Sequence, residues 1–262
     1  VLKWEGRMEE VLVTQDDDTC QRVLRNFEYA HQYLKTSTGS SEHEIATMRL
    51  MERRVELLGK LQCFRDQGEL ICQLADGLIL SGKYEEAERY LQQARALGAA
   101  HGFFSVESRA CRGIGELAIK EGRGEEGLDL LRNSMAAARL TENEDSSIDE
   151  LQALDPLINA LFEADAIDEV EPLVDRYREL GKAAKRRDGV PTFSEAHCFR
   201  ARLHEARGRP EEAATEVRAL LDLIRENETA GQDMLYFCLA MLDQASSSLT
   251  ILDPELGDKE LI

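Results

Sequence analysis

A glycine and a small residue recur five positions apart in this chain, with apolar residues at matching offsets around them. The clearest copy runs Ile71, Leu74, Ala75, Leu78, Gly82, Tyr84, Ala87, Leu91 and Ala94. Apolar residues three and four apart mark an amphipathic helix on each side of Gly82, and a glycine supplies the left-handed backbone on which a helix stops. The same pattern returns with Gly122, Asp165 and Gly208 at the turn, in steps of 40, 43 and 43 residues. Periods of that size belong to stacked helical hairpins, so the expected fold class is all-α, an α-solenoid of antiparallel helix pairs.

Aligned on the turn, the second copy reads Cys111, Ile114, Gly115, Ala118, Gly122, Gly124, Gly127, Leu131 and Ser134. The third reads Leu154, Leu157, Ile158, Leu161, Asp165, Ile167, Val170, Val174 and Tyr177. The fourth, His197, Arg200, Ala201, His204, Gly208, Pro210, Ala213, Val217 and Leu220, fits least well because polar residues take apolar positions in its first helix. Small residues at Ala75, Gly115, Ala201, Ala87 and Ala213 let paired helices approach closely. One hairpin cannot bury its own apolar face, so neighbours must stack on it.

The pattern predicts residues 1–65 as a degenerate helical pair or cap, 66–228 as four repeats, 229–250 as a C-terminal capping helix and 251–262 as a tail. In the first segment, Cys20, Val23, Leu24, Phe27 and Leu34 mark one helical face after the acidic run Asp16, Asp17 and Asp18. Ile45, Met48, Met51, Val55, Leu58 and Leu61 mark a second helix after a break at 36–41. Residues 97–105 and 140–147 are expected to join units as extended helices or loops.

Composition narrows the function. The 32 Lys and Arg against 51 Asp and Glu leave a net charge of −19, which opposes binding to a phosphate backbone or an anionic lipid surface. No run approaches the roughly 20 apolar residues that cross a bilayer. Six singly spaced cysteines with no C-x-x-C pair indicate a reducing compartment, and the expected location is the cytoplasm. The chain opens on Val1, as a processed protein or a piece of a longer one would.

Gly122, Gly124 and Gly127 spell a dinucleotide-type glycine pattern, but that motif needs a preceding strand. What precedes it here is helical, so the glycines are read as turn and packing residues. His31, His43, His101, His197 and His204 lack the i, i+4 spacing of a zinc-hydrolase helix. No nucleophile elbow or P-loop is present. Neither a catalytic residue, a cofactor nor a metal is therefore expected.

The residues of 71–94 resemble a tetratricopeptide repeat (TPR), in an extended variety with a period near 40 instead of about 34. The resemblance covers 67–227, and the proline that usually closes a repeat is missing. It implies a superhelix whose inner wall, lined by the first helix of each pair, holds a peptide or a partner's helix. That wall would present Glu69, Cys72, Asp76, Arg109, Arg112, Glu116, Lys120, Asp155, Asn159, Phe162, Glu163, Cys198, Arg202 and Glu205. Of these, Arg109, Arg112, Glu116, Lys120, Asn159, Phe162 and Arg202 are the expected partner-binding set. Arg109, Arg112 and Lys120, on one helix face, form the strongest positive cluster for an acidic peptide.

The function these features imply is a non-catalytic protein-interaction scaffold that binds a peptide or partner helix. Three alternatives stand beside it. They are a ligand-responsive sensor module of a larger signalling protein, a structural subunit of a large assembly, and an enzyme with a site near His197, Cys198, Arg202 and His204.

Overall fold

The computed structural model describes positions 19, 22, 25 and 26 and residues 41–141, 146–183 and 194–226. The first predicted helix (apart from those four positions), the break before Ser41, the capping helix and the tail lie outside the described residues. The chain divides into two compact units, Val1–Thr141 and Glu142–Ile262. The first contains α1 (Ser41–Lys60), α2 (Phe64–Leu80), α3 (Tyr84–His101), α4 (Phe104–Lys120) and α5 (Gly124–Arg139). The second contains α6 (Ser146–Glu163), α7 (Ile167–Ala183), α8 (Ser194–Ala206) and α9 (Pro210–Glu226). Among the described residues every regular element is an α-helix, and successive helices within a unit pack against each other. Except between α7 and α8, turns of two or three residues leave successive helices of a unit no choice but to run antiparallel.

One turn closes each of the described connections between helices. Gln62, Gly82, Gly102, Gly122, Asp165 and Gly208 all have positive φ, between 56° and 83°. In each case the next amide donates to the carbonyl five residues back: Cys63 to Leu58, Lys83 to Leu78, Phe103 to Gly98, Arg123 to Ala118, Ala166 to Leu161 and Arg209 to His204. This is the Schellman closure, which satisfies carbonyls that a helix end would leave unpaired. The first four turn residues are spaced 20 apart, so turns within and between hairpins are built alike. Residues 97–105 join hairpins by the extended-helix route: α3 continues to His101, and only Gly102 and Phe103 separate it from α4. The Phe64, His101 and Phe103 rings stack at this corner, with centroids 4.4 and 5.6 Å apart.

The core of the first unit is continuous, from Met51 and Leu58 through Leu70, Ile71, Leu74, Leu78, Leu91, Val106 and Ile114 to Leu130. Close approach of α4 and α5 depends on absent side chains. A Cβ on Gly127 would meet the Gly115 carbonyl at 2.8 Å and Ile119 at 2.5 Å, and one on Gly115 would meet the Gly127 carbonyl at 3.0 Å. Gly122 of the glycine pattern is thus a turn residue and Gly127 a packing residue, while a Cβ on Gly124 would meet nothing.

In the second unit Leu154, Leu157, Ile158, Leu161, Val170, Val174, Phe199, Val217 and Leu220 are buried. Helix α8 does not bury His197, Arg200 and His204 as apolar substitutes. Its inward residues are Ala196, Cys198, Phe199, Ala201 and Leu203, so the apolar face is turned by about one residue. Phe199 meets Tyr177 of α7 edge to face, centroids 5.3 Å apart.

Candidate functional site

The residues of interest lie on the first helix of each hairpin, α2 and α4 in one unit and α6 and α8 in the other. The inward stripe of each helix is fixed in the core of its own unit, so the opposite face is presented outward. Within each unit the two first helices also meet. In the first unit α2 contacts α4, and Arg109 of α4 donates to the carboxylate of Asp76 on α2 at 2.5 Å. Arg112 lies 3.9 Å from Glu116 one turn on. Glu69 accepts from Arg65 at 3.3 Å. Cys72 sits beneath these charges, fully buried, and burial pushes its thiol up to about 12, which removes it as a nucleophile at neutral pH.

Lys120 does not join Arg109 and Arg112. Its ammonium donates to the Tyr84 hydroxyl and lies 4.1 Å from the centroid of that ring, a hydrogen bond combined with a cation–π contact. Tyr84 opens α3 just after the Gly82 turn, so the lysine is drawn to the hairpin edge. Leu80, one repeat earlier in the same column, is 84% exposed. The expected positive cluster is therefore divided, and its members have partners within the chain: Asp76 for Arg109, Glu116 for Arg112 and Tyr84 for Lys120.

The second unit brings the remaining three together. Arg202 of α8 donates through Nη1 to Oδ1 of Asn159 on α6 at 2.6 Å, and its guanidinium lies 4.3 Å from the centroid of Phe162. Asn159 is itself held by bonds from Nδ2 to the Asp155 carbonyl (3.1 Å) and carboxylate (3.2 Å). Burial draws the Arg202 pKa down, and the more distant Glu163, Asp155 and Glu205 pull the other way without reversing it. Among the described residues no carboxylate comes within ion-pair distance of Arg202, whose one hydrogen bond goes to a neutral amide oxygen. Cys198 is buried nearby in the core.

His197, Cys198, Arg202 and His204 do not converge. His197 faces away from the wall, to α9, where Nδ1 is 2.7 Å from Glu216. Arg200 donates to the other oxygen of that carboxylate at 2.8 Å. Burial opposes the charge of Glu216, and the bond from His197 with the attraction of Arg200 outweighs it, holding the carboxyl below its ordinary range. Nδ1 of His204 is buried with no partner among the described residues. Among those residues no group of His, Cys, Asp and Glu is arranged to hold a metal ion, and no helix is long and apolar enough to cross a membrane.

Two interactions escape sequence reasoning. Glu150 on α6 is buried and accepts two bonds from Arg176 of α7, at 3.0 and 2.8 Å, and nothing in the repeat pattern singles out that pair. Glu216 carries no signal either, although His197 at an apolar position of the pattern signals that a polar partner must face it.

No family model matches the chain, and no curated protein matches it. Solved structures do. The nearly identical TPR-like repeats of a Podosopora anserina protein assigned as a kinesin light chain superpose with a TM-score of 0.58 at 17% identity, over 80% of this chain and 98% of that one. A second crystal structure of those repeats gives 0.57 at 17% identity, over 79% and 98%. BtubC (BKLC) from P. vanneervenii gives 0.53 at 10% identity, over 83% and 94%. At such identities the likeness concerns the fold, and with the repeated Schellman turns it identifies this chain as an α-solenoid of TPR-like helical hairpins.

Proposed function

We propose that this chain is a non-catalytic interaction scaffold whose wall of first helices receives an extended peptide or a helix of a protein partner. The observation that carries this reading is the character of the wall. In both units the first helices are joined by polar side chains, Arg109 to Asp76 and Arg202 to Asn159, while the apolar stripes of the same helices are spent on the core. What remains in each unit is a polar surface on helices, with an exposed Leu80 in the first unit and Phe162 under Arg202 in the second. Such surfaces fix the register of a partner by hydrogen bonds and a few apolar contacts. The TPR-like fold supports protein partners in general, and the net charge of −19 disfavours nucleic acid.

A photo-crosslinking amino acid placed at Glu116 on the wall, and separately at Glu88 on α3, tests this in extracts of the native source. The reading expects a discrete protein adduct from position 116 that is absent from position 88. Equal capture from both, or capture from position 88 alone, would refute it.

A further inference from the structure

A groove of about 720 Å³ opens at the Gly82 edge of the α2–α3 hairpin, lined by Gly82, Lys83, Tyr84, Glu85, Glu86, Arg89 and Glu121. Small-ligand sites span roughly 300–1,000 Å³. Most of this lining comes from the start of α3, off the wall of first helices. Its ring is placed in advance: the Lys120 ammonium lies 4.1 Å from the Tyr84 centroid and donates to the Tyr84 hydroxyl, which keeps its own proton to donate. Other charges around the groove are closed on one another, Lys83 with Glu86 at 3.7 Å and Glu121 with Arg123 at 2.8 Å. Glu85 and Arg89 are not. Both are exposed, and among the described residues neither makes a hydrogen bond or an ion pair. An acid four residues before a base is the favourable order for a pair on a helix, yet these two stand apart with the groove beside them.

We propose that this groove binds a free amino acid, with Glu85 taking the ammonium, Arg89 and the Tyr84 hydroxyl taking the carboxylate, and the Tyr84 ring meeting an apolar side chain. The charges decide the class of ligand. With Lys83, Glu86 and Glu121 matched, the two open groups are of opposite sign, so a pure cation satisfies Glu85 and is opposed by Arg89, and a pure anion meets the reverse. A zwitterion satisfies both at once with charge-assisted bonds. Residues four apart on a helix have Cβ atoms about 5–6 Å apart, a gap that an ammonium and a carboxylate on one carbon can bridge. Leu80, two residues before Gly82 and 84% exposed, extends the apolar side of the edge. Because Glu85 and Arg89 stand in water, the affinity is modest, in the millimolar range. The groove stands apart from the wall, so its occupancy and partner binding are separable.

L-Phenylalanine titrated into the full chain, followed by amide NMR, tests this. Three further probes isolate the groups: glycine lacks the side chain, N-acetyl-L-phenylalanine the ammonium and L-phenylalaninamide the carboxylate. Saturable shifts centred on Gly82 to Glu86 are expected with phenylalanine. Binding should be weaker for glycine and about tenfold weaker for each of the two derivatives. Glu85→Gln should erase the discrimination against the acetyl derivative, and Arg89→Gln that against the amide. Both positions are exposed on one helix, and loss of a single discrimination in each variant is an outcome that general destabilisation does not produce. The site is overturned by the absence of saturable shifts up to about 20 mM phenylalanine, by equal binding of the derivatives, or by discrimination that persists in both variants.

Discussion

Arg202 and Asn159 are bonded across 2.6 Å although 43 residues separate them in the chain. That separation is one repeat, so the two occupy the same column of successive first helices, the column that holds Asp76 and Glu116 in the other unit. Repeat arithmetic reports the spatial neighbour for this pair, whereas Arg109 and Asp76, 33 residues apart, meet across columns.

The turn residues give a prediction of opposite signs. Gly122 has a φ of 83° and open space around a Cβ, so Gly122→Ala is expected to destabilise by about 1 kcal/mol through left-handed strain alone. Gln62 occupies the equivalent turn with a φ of 58°. Replacing it by glycine should relieve strain and raise the urea midpoint by the equivalent of about 0.5 kcal/mol, net of the entropy glycine adds to the unfolded chain. Urea unfolding followed by circular dichroism checks both.

Gly127 sits inside α5, where alanine would ordinarily favour the helix by about 1 kcal/mol. Here its Cβ would press on the Gly115 carbonyl and Ile119. Gly127→Ala is therefore expected to destabilise by about 1–3 kcal/mol, the range for overpacking. A stabilised variant in thermal melts would show that α4 and α5 can yield.

The Glu150 carboxylate is 6% exposed and depends on Arg176, which is 42% exposed. Removing the arginine leaves a buried charge, so Arg176→Ala is expected to destabilise the second unit by about 2 kcal/mol. The double change Glu150→Leu with Arg176→Ala should recover most of that. A double-mutant cycle in urea measures the coupling.

Glu216 sets an acid limit for the α8–α9 hairpin. A carboxyl whose folded pKa lies below its ordinary 4.5 contributes stability that is fully present above about 4.5 and is lost as pH falls through the folded value. Melting temperatures recorded from pH 6 to 3 should drop less steeply in Glu216→Gln than in the parent chain, whose melting point should be the higher of the two at pH 6. Parallel pH profiles would show that the carboxylate owes no stability to His197 and Arg200.

Helix hairpins, the turns at Gly82, Gly122, Asp165 and Gly208, and the tight glycines of α4 and α5 were all legible in the sequence, because periodicity and turn chemistry are local. The turns at Gln62 and Gly102 were not. Glutamine carries no turn signal, and Gly102 lay in a stretch expected to join units as extended helix or loop, with no turn assigned to it. The fourth repeat looked irregular because a helix can turn by one residue and bury Phe199 and Leu203 instead, which only packing against α7 and α9 decides. On the wall, Asn159, Phe162 and Arg202 were named among seven residues that the resemblance implied, and their contact with one another was not foreseen. The contact of Lys120 with the Tyr84 ring and hydroxyl carries no signal in the repeat pattern, because a long side chain at a helix end can reach several neighbours.

The central claim, that partners bind the wall of first helices, is tested most directly by hydrogen–deuterium exchange of the full chain with and without a peptide selected for binding to it from a random phage library. The account predicts slowed exchange in α2, α4, α6 or α8, with α3, α5, α7 and α9 unchanged. Protection confined to those second helices would contradict it.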